Sequence, residues 1–133
     1  MLELEFDKLI EYNAGQIGIE IDVSLQMANK TVNLKAQIDT GASRCLFKRK
    51  LGEELGFEIE KEMAQRFGTA TGGFLAYGHE VTLIVAGFEF YSMVSFAENE
   101  YFARNVLGRI GWLDHVILGL VDYEGKLYLR PYF

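Results

Sequence analysis

The chain has one cysteine, one proline and two histidines among 133 residues, and each scarcity removes a class of function. With Cys45 alone, no disulfide can close within the chain and no zinc centre of several thiolates can be built. A reducing compartment suits it best. With Pro131 alone, and glycines scattered among turns, no linker, low-complexity tract or repeat divides the sequence. His79 and His115 stand apart from each other and from any second ligand type, so neither a metal nor a cofactor is expected. Basic residues are outnumbered 13 to 19, for a formal charge of −6 and a pI near 4.9. That balance argues against nucleic acid as a partner, because phosphate binding rests on clustered Lys and Arg that release counterions. The one basic cluster, Lys48-Arg49-Lys50, precedes Glu53 and Glu54 and reads as a solvated helix end.

Long apolar runs are missing too. Stretches such as 81–88 are broken by Thr82 and Gly87 and fall short of the ~20 residues a membrane-spanning helix needs. The first seven residues alternate acid with apolar side chains, where a secretory signal shows a basic head and an unbroken apolar stretch. The expectation is a soluble, cytoplasmic protein with no membrane contact. A hydrophobic content of 50% over this length is enough for one core. We therefore expect a single domain over residues 1–133.

What is present is mostly strand pattern. Ile17, Ile19, Ile21, Val23 and Leu25 alternate with Gly18, Glu20, Asp22 and Ser24, the period of a half-buried strand. A turn over 26–30 follows, and Val32, Leu34, Ala36 and Ile38 keep the same period, so a hairpin delivers Asp39 to its end. Residues 46–57 change to helical spacing and stop at Gly56. Strand pattern resumes near Phe67, breaks at Gly72-Gly73, and returns over 74–77 and 80–86, with Ala86-Gly87 turning into 88–96. A second short helix is expected over 109–115, then a closing hairpin of 116–121 and 126–130 around a turn at 122–125.

Asp39-Thr40-Gly41-Ala42-Ser43 at the hairpin's end is the informative motif. Two carboxylates that share one proton supply an acid and a base near neutral pH, because like charges a few ångströms apart cannot both ionise cheaply. None of the other aspartates, Asp7, Asp22, Asp114 and Asp122, is followed by Thr or Ser and then Gly. A dyad therefore needs a second copy of the chain. The plainer alternative is an Asp that caps the following helix or closes a turn.

Three segments in order resemble the retropepsin-like aspartic proteases, of the cellular and bacterial type. They are Leu34 through the Asp39-Thr40-Gly41-Ala42-Ser43 turn, the glycine-rich stretch Gly68-Thr69-Ala70-Thr71-Gly72-Gly73-Phe74, and Asn105-Val106-Leu107-Gly108-Arg109. Singly each is weak, and their order and spacing carry the likeness. The resemblance spans about 17–129. It implies an all-β, small closed acid-protease barrel with one or two short helices, one half-site per chain, and a homodimer whose cleft crosses the two-fold axis. Asp39, Thr40 and Gly41 would be the catalytic turn, with Thr40 bonding its counterpart across the axis. Ala42, Ser43, Ala70, Thr71, Gly72 and Gly73 would meet the substrate, the last four as a flap whose small residues let backbone amides approach a peptide. Gly108 and Arg109 would be structural supports. Retroviral members often carry an acid where Ser43 stands, which leaves the partner of Arg109 unspecified.

The implied activity is an aspartic endopeptidase acting on extended peptide. A non-catalytic dimeric peptide-binding or adaptor module of the same fold is the alternative, since fold alone does not establish activity. A thiol pair of Cys45 with either histidine is disfavoured, because nothing in the sequence orients the ring.

Overall fold

The protein is described by a computed structural model that covers residues 1–61, 64–69 and 72–133, with the side chains of 65–69 and 72 left aside. The expected all-β closed barrel is what it shows. Strands β2 (Glu20–Met27) and β3 (Lys30–Ile38) pair antiparallel from Glu20↔Gln37 to Met27↔Lys30. Alternation buries Ile21, Val23, Leu25 and Ala36 on one face. The hairpin turn is tighter than the sequence suggested: Gln26 and Met27 still pair, and Ala28 takes the left-handed conformation at φ 53°. At the other end Ile17 is fully exposed, so the strand starts three residues later than its pattern.

Five further strands complete the barrel: β4 (Leu46–Phe47), β5 (Ala64–Thr69), β6 (Gly72–Val85), β7 (Phe88–Ala97) and β8 (Val106–Leu107). Their order is β2-β3-β8-β4-β7-β6-β5, and pairing of β6 with β2 closes the ring. Fully buried Phe47, Phe96 and Trp112 fill it, with Leu25, Leu83 and Leu107. The β6–β7 turn places both Ala86 (φ 53°) and Gly87 (φ 83°) in the left-handed region, the conformation a two-residue hairpin of right-handed twist demands. Gly72-Gly73 does not interrupt its strand, because both residues pair with Thr69 and Gly68 on β5.

Two helical expectations need correction. Leu46 and Phe47 belong to β4, wedged between β8 and β7, and the helix α1 is only Arg49–Glu54. Both residues are buried, so burial in the sheet outweighs the helical spacing. The helix ends at Glu54, and Gly56 just beyond it, the expected stop, has a φ of +92°. The helix expected over 109–115 is a 3-10 turn at Leu113–His115 only. Upstream of it the amides of Arg109 and Ile110 are already used, donating to the carbonyls of Ala42 and Ser43.

The chain ends form a separate three-stranded sheet. Strands β9 (Val116–Val121) and β10 (Lys126–Pro131) make the expected hairpin, and β1 (Lys8–Glu11) pairs with β10 on its far side. An N-terminal strand was not foreseen. It is pinned at its end, where the Tyr12 hydroxyl donates to Asp122 at 2.5 Å and the Tyr12 amide donates to Gly125 at 2.9 Å. The neighbouring Asp122 carboxylate pushes the Tyr12 phenol up to about 12.

Arg49 ties three elements together. Its guanidinium donates to Glu53 on α1, to Glu60 in the 3-10 turn Ile59–Lys61, and to the Glu98 carbonyl past β7. The Glu60 carboxyl is held below its ordinary range, chiefly by that hydrogen bond. A lowered carboxyl pKa gives stability that is complete above the ordinary value of about 4.3 and is lost as pH falls through the lowered one. Arg49→Met is therefore expected to lower the melting temperature at pH 7, and by clearly less at pH 3. Equal losses at both pH values in parallel melts would contradict this assignment.

Candidate active site

Asp39 stands one residue past β3, and its position is built from backbone. The parallel pairing of β3 with β8, Gln37↔Val106 and Ile38↔Leu107, continues as the Asp39 amide donates to the Leu107 carbonyl at 3.0 Å. The chain then folds back, with the Ala42 amide on the Asp39 carbonyl at 3.1 Å. Within this turn the Gly41 amide donates to Asp39 Oδ1 at 2.9 Å, which fixes the carboxyl group. Asp39 Oδ2 lies 3.6 Å from Arg104 Nη2, and the carboxyl side chain is about one-third exposed. One oxygen is thus held by the turn's own backbone and the other faces the exposed Arg104 guanidinium.

The glycine at 41 is favoured by space and not by a left-handed backbone. Its φ is not among the positive ones, whereas a Cβ added there would sit 3.2 Å from Asp39 Oδ1. The stronger case is Gly108. A Cβ on it would lie 2.2 Å from the Arg44 carbonyl oxygen and 2.9 Å from that of Ala42. The 105–109 segment thus passes directly beneath the Asp39 turn, clamped by the Arg109 and Ile110 amides and by the parallel bridge Arg44↔Ile110.

The other expected site residues fall around this turn. Thr40 and Ser43 are exposed, and neither side chain has a hydrogen-bond partner among the described residues. Ser43 and Arg109 line a hollow of about 400 Å³ with Ile110, Leu113 and Asp114. The Arg109 guanidinium has no ion pair among the described residues, so its support of the turn comes from its backbone. Of the residues expected to form a flap, Gly72 and Gly73 lie at the start of β6, opposite β5, while Ala70 and Thr71 lie outside the described residues. Ala42, Phe74 and Phe102 pack against a buried cluster of Leu46, Ala76, Ala97 and Val106, and the rings of Phe74 and Phe102 are 5.0 Å apart. This cluster joins the base of the β5–β6 hairpin to the Asp39 turn. Phe102→Ala is expected to cost about 2 kcal/mol and to raise KM more than it lowers kcat, read from steady-state kinetics and a urea titration.

The cysteine and the two histidines lie apart from the Asp39 turn. Cys45 is fully buried, and burial pushes its thiol up to about 12, so no thiolate forms near neutral pH. His79 is buried with Nε2 2.9 Å from the Ile59 carbonyl and its ring against Phe57, while His115 Nδ1 is 2.7 Å from Asp114. No group of three or more metal-ligating side chains occurs among the described residues. Among them, too, no helix is long and apolar enough to cross a membrane. A hollow of about 620 Å³ bounded by Met27, Glu80, Tyr91 and Met93 includes no residue of the Asp39 turn.

The family model for aspartyl proteases matches residues 23–120, from β2 through β9. The chain belongs to the aspartyl protease family. None of the curated proteins matches it in sequence. Among solved structures, a retropepsin-like aspartic protease from Rickettsia conorii aligns at TM-score 0.67 and 20% identity, covering 96% of this chain and 100% of that one. The EIAV protease in complex with the inhibitor HBY-793 aligns at TM-score 0.60 and 19% identity, covering 75% of this chain and 88% of that one. At such identities the likeness is one of fold, and the fold of this aspartyl protease is retropepsin-like.

Arg104 is the site residue that sequence reading passed over. It precedes the Asn105-to-Arg109 segment by one position, and no motif marks it. The only available signal was a cation at the mouth of a segment that crosses under an acidic turn.

Proposed function

We propose that the protein is a homodimeric aspartic endopeptidase in which residues 1–133 supply one half-site. The observation that carries this reading is the Asp39 carboxyl, fixed at Oδ1 by the Gly41 amide and open at Oδ2, in a chain with no second aspartate of that setting. Two such carboxyls face each other across a two-fold axis and hold a water between them. The unprotonated one takes a proton from the water as its oxygen bonds to the peptide carbonyl carbon. The protonated one gives its proton to the developing oxyanion. Collapse of the tetrahedral intermediate breaks the C–N bond, and the amine leaves with a proton. Titration belongs to the pair and not to either residue.

Arg104 has to yield for this to happen. At 3.6 Å its contact is long for a hydrogen bond, and its side chain is 55% exposed, so the pair contributes little and gives way to the catalytic water. Thr40 bonds its counterpart across the axis, and Ala42 and Ser43 line the cleft floor. The β5–β6 hairpin closes over an extended segment that adds as a strand, and Ala70, Thr71, Gly72 and Gly73 meet that substrate. Cleavage of an unfolded protein tests the dimeric mechanism when wild-type chains are mixed with an equal amount of Asp39→Asn chains. With free exchange, activity per total chain falls to about a quarter if both carboxyls are needed, and to about a half if each copy acts alone. The second result would overturn the shared dyad.

A further inference from the structure

The side chain of Arg109 carries no structural task in this chain. Its amide alone clamps the Asp39 turn, donating to the Ala42 carbonyl at 2.9 Å. The residue is exposed, and its guanidinium has no ion pair and no hydrogen bond among the described residues. Acidic residues outnumber basic ones 19 to 13, so cations here have partners in excess. Lys35, Arg49, Lys50, Lys61 and Lys126 each sit on a carboxylate of the chain. Arg109 does not, although it lies beside the turn that holds the site.

The surroundings of Arg109 suit an anion that the chain does not supply. It lines the hollow of about 400 Å³ at the end of the Asp39 turn together with Ser43, Ile110, Leu113 and Asp114. The Ser43 hydroxyl is unpartnered among the described residues, and Ile110, 46% exposed, leaves an apolar wall uncovered. The one acid there is already engaged: Asp114 Oδ1 accepts the Gly111 amide at 3.1 Å and lies 2.7 Å from His115 Nδ1. The hollow thus offers a guanidinium, a hydroxyl and an apolar wall. Arg104, 3.6 Å from Asp39 Oδ2, adds positive charge at the same turn.

We infer that Arg109 is a specificity residue, and that this hollow takes an aspartate or glutamate side chain of the peptide being cut. A planar guanidinium matches a carboxylate with two parallel hydrogen bonds. The Ser43 hydroxyl can donate a third, and Ile110 and Leu113 cover the methylenes that carry the acid. A basic side chain there would be repelled, and an apolar one would leave the guanidinium unpaired, so the hollow discriminates as well as binds. Because it adjoins the Asp39 turn, the acid lies within a few residues of the scissile bond. A two-fold axis between half-sites gives one hollow on each side, so acids flank the cut on both sides. The substrate class is acidic, extended peptide.

The inference rests on the endopeptidase reading above, and a digest separates the two. A library of peptides from an unfolded proteome is cut by the natural chain, and the products are sequenced by mass spectrometry. Asp and Glu are expected at one position on each side of the cuts, roughly fivefold or more above their frequency in the library. Arg109→Gln keeps the backbone clamp and should bring that enrichment down to background. Arg109→Glu should replace it with Lys and Arg. If either substitution unfolds the chain, the natural protein decides alone, on two peptides that differ only by Glu or Gln at the enriched position. The Glu peptide should have a KM about tenfold lower at low ionic strength, and the gap should narrow in about 1 M salt. Cuts without acid preference, equal KM values, or a preference that Arg109→Gln leaves intact overturn this assignment and leave the endopeptidase standing. A digest in which no cut is lost with Asp39→Asn overturns both.

Discussion

Asp39→Asn, in both copies, is expected to lower peptide cleavage by about 10³-fold or more while leaving the fold intact. The asparagine side chain is nearly the same size, and its carbonyl oxygen can still accept the Gly41 amide that now binds Oδ1 at 2.9 Å. What it cannot do is take a proton from water or hold one to donate. The loss should therefore appear in kcat, with peptide affinity and melting temperature close to those of the natural protein. A variant that keeps its activity would show that this carboxylate is not the catalyst, whatever the fold resembles.

Gly108→Ala should damage both the fold and the activity. A Cβ there would meet the Arg44 carbonyl oxygen at 2.2 Å and carbon at 2.5 Å, and the Ala42 oxygen at 2.9 Å. All three are backbone atoms of the turn that carries Asp39, so no side chain can swing aside. Either β8 separates from β3 or the Asp39 turn moves. The expected cost is about 3 kcal/mol, a fall in melting temperature of roughly 10 °C. Activity should fall by about 10²-fold even well below the melting point, because a displacement near 1 Å is enough for that. Gly41→Ala is the comparison: its Cβ would sit 3.2 Å from the Asp39 side chain, which has some freedom to adjust, so its stability loss should be smaller. Equal losses for the two substitutions, measured by thermal melts, would refute the packing argument.

The parts of the fold that the sequence made legible are those where one periodicity acts alone. The β2–β3 hairpin alternates cleanly because one face lies in the core, and the Gly56 stop reflects a left-handed backbone that few other residues adopt. The Asp39 turn and the 105–109 segment could be placed because both are short motifs in a recognisable order. Reading failed where tertiary contacts override local pattern. Leu46 and Phe47 fit a helix by spacing, yet a two-residue gap between β8 and β7 takes them. Residues 109–111 read as helix, but the carbonyls of Ala42 and Ser43 claim two of their amides, and Gly111 at φ +109° leaves the helical region. The pairing of β1 with β10 links residues more than a hundred positions apart and leaves no local trace. Arg104 beside Asp39 is of the same kind, a neighbour created by the β3–β8 pairing.

The central claim is that two copies of one chain bring their Asp39 side chains together. A crystal structure of the assembled protein measures this directly, as the separation of the two symmetry-related carboxyl groups. The account predicts about 3 Å across a water-filled cleft. Carboxyls on opposite faces of the assembly, or separated by the width of a subunit, would contradict it.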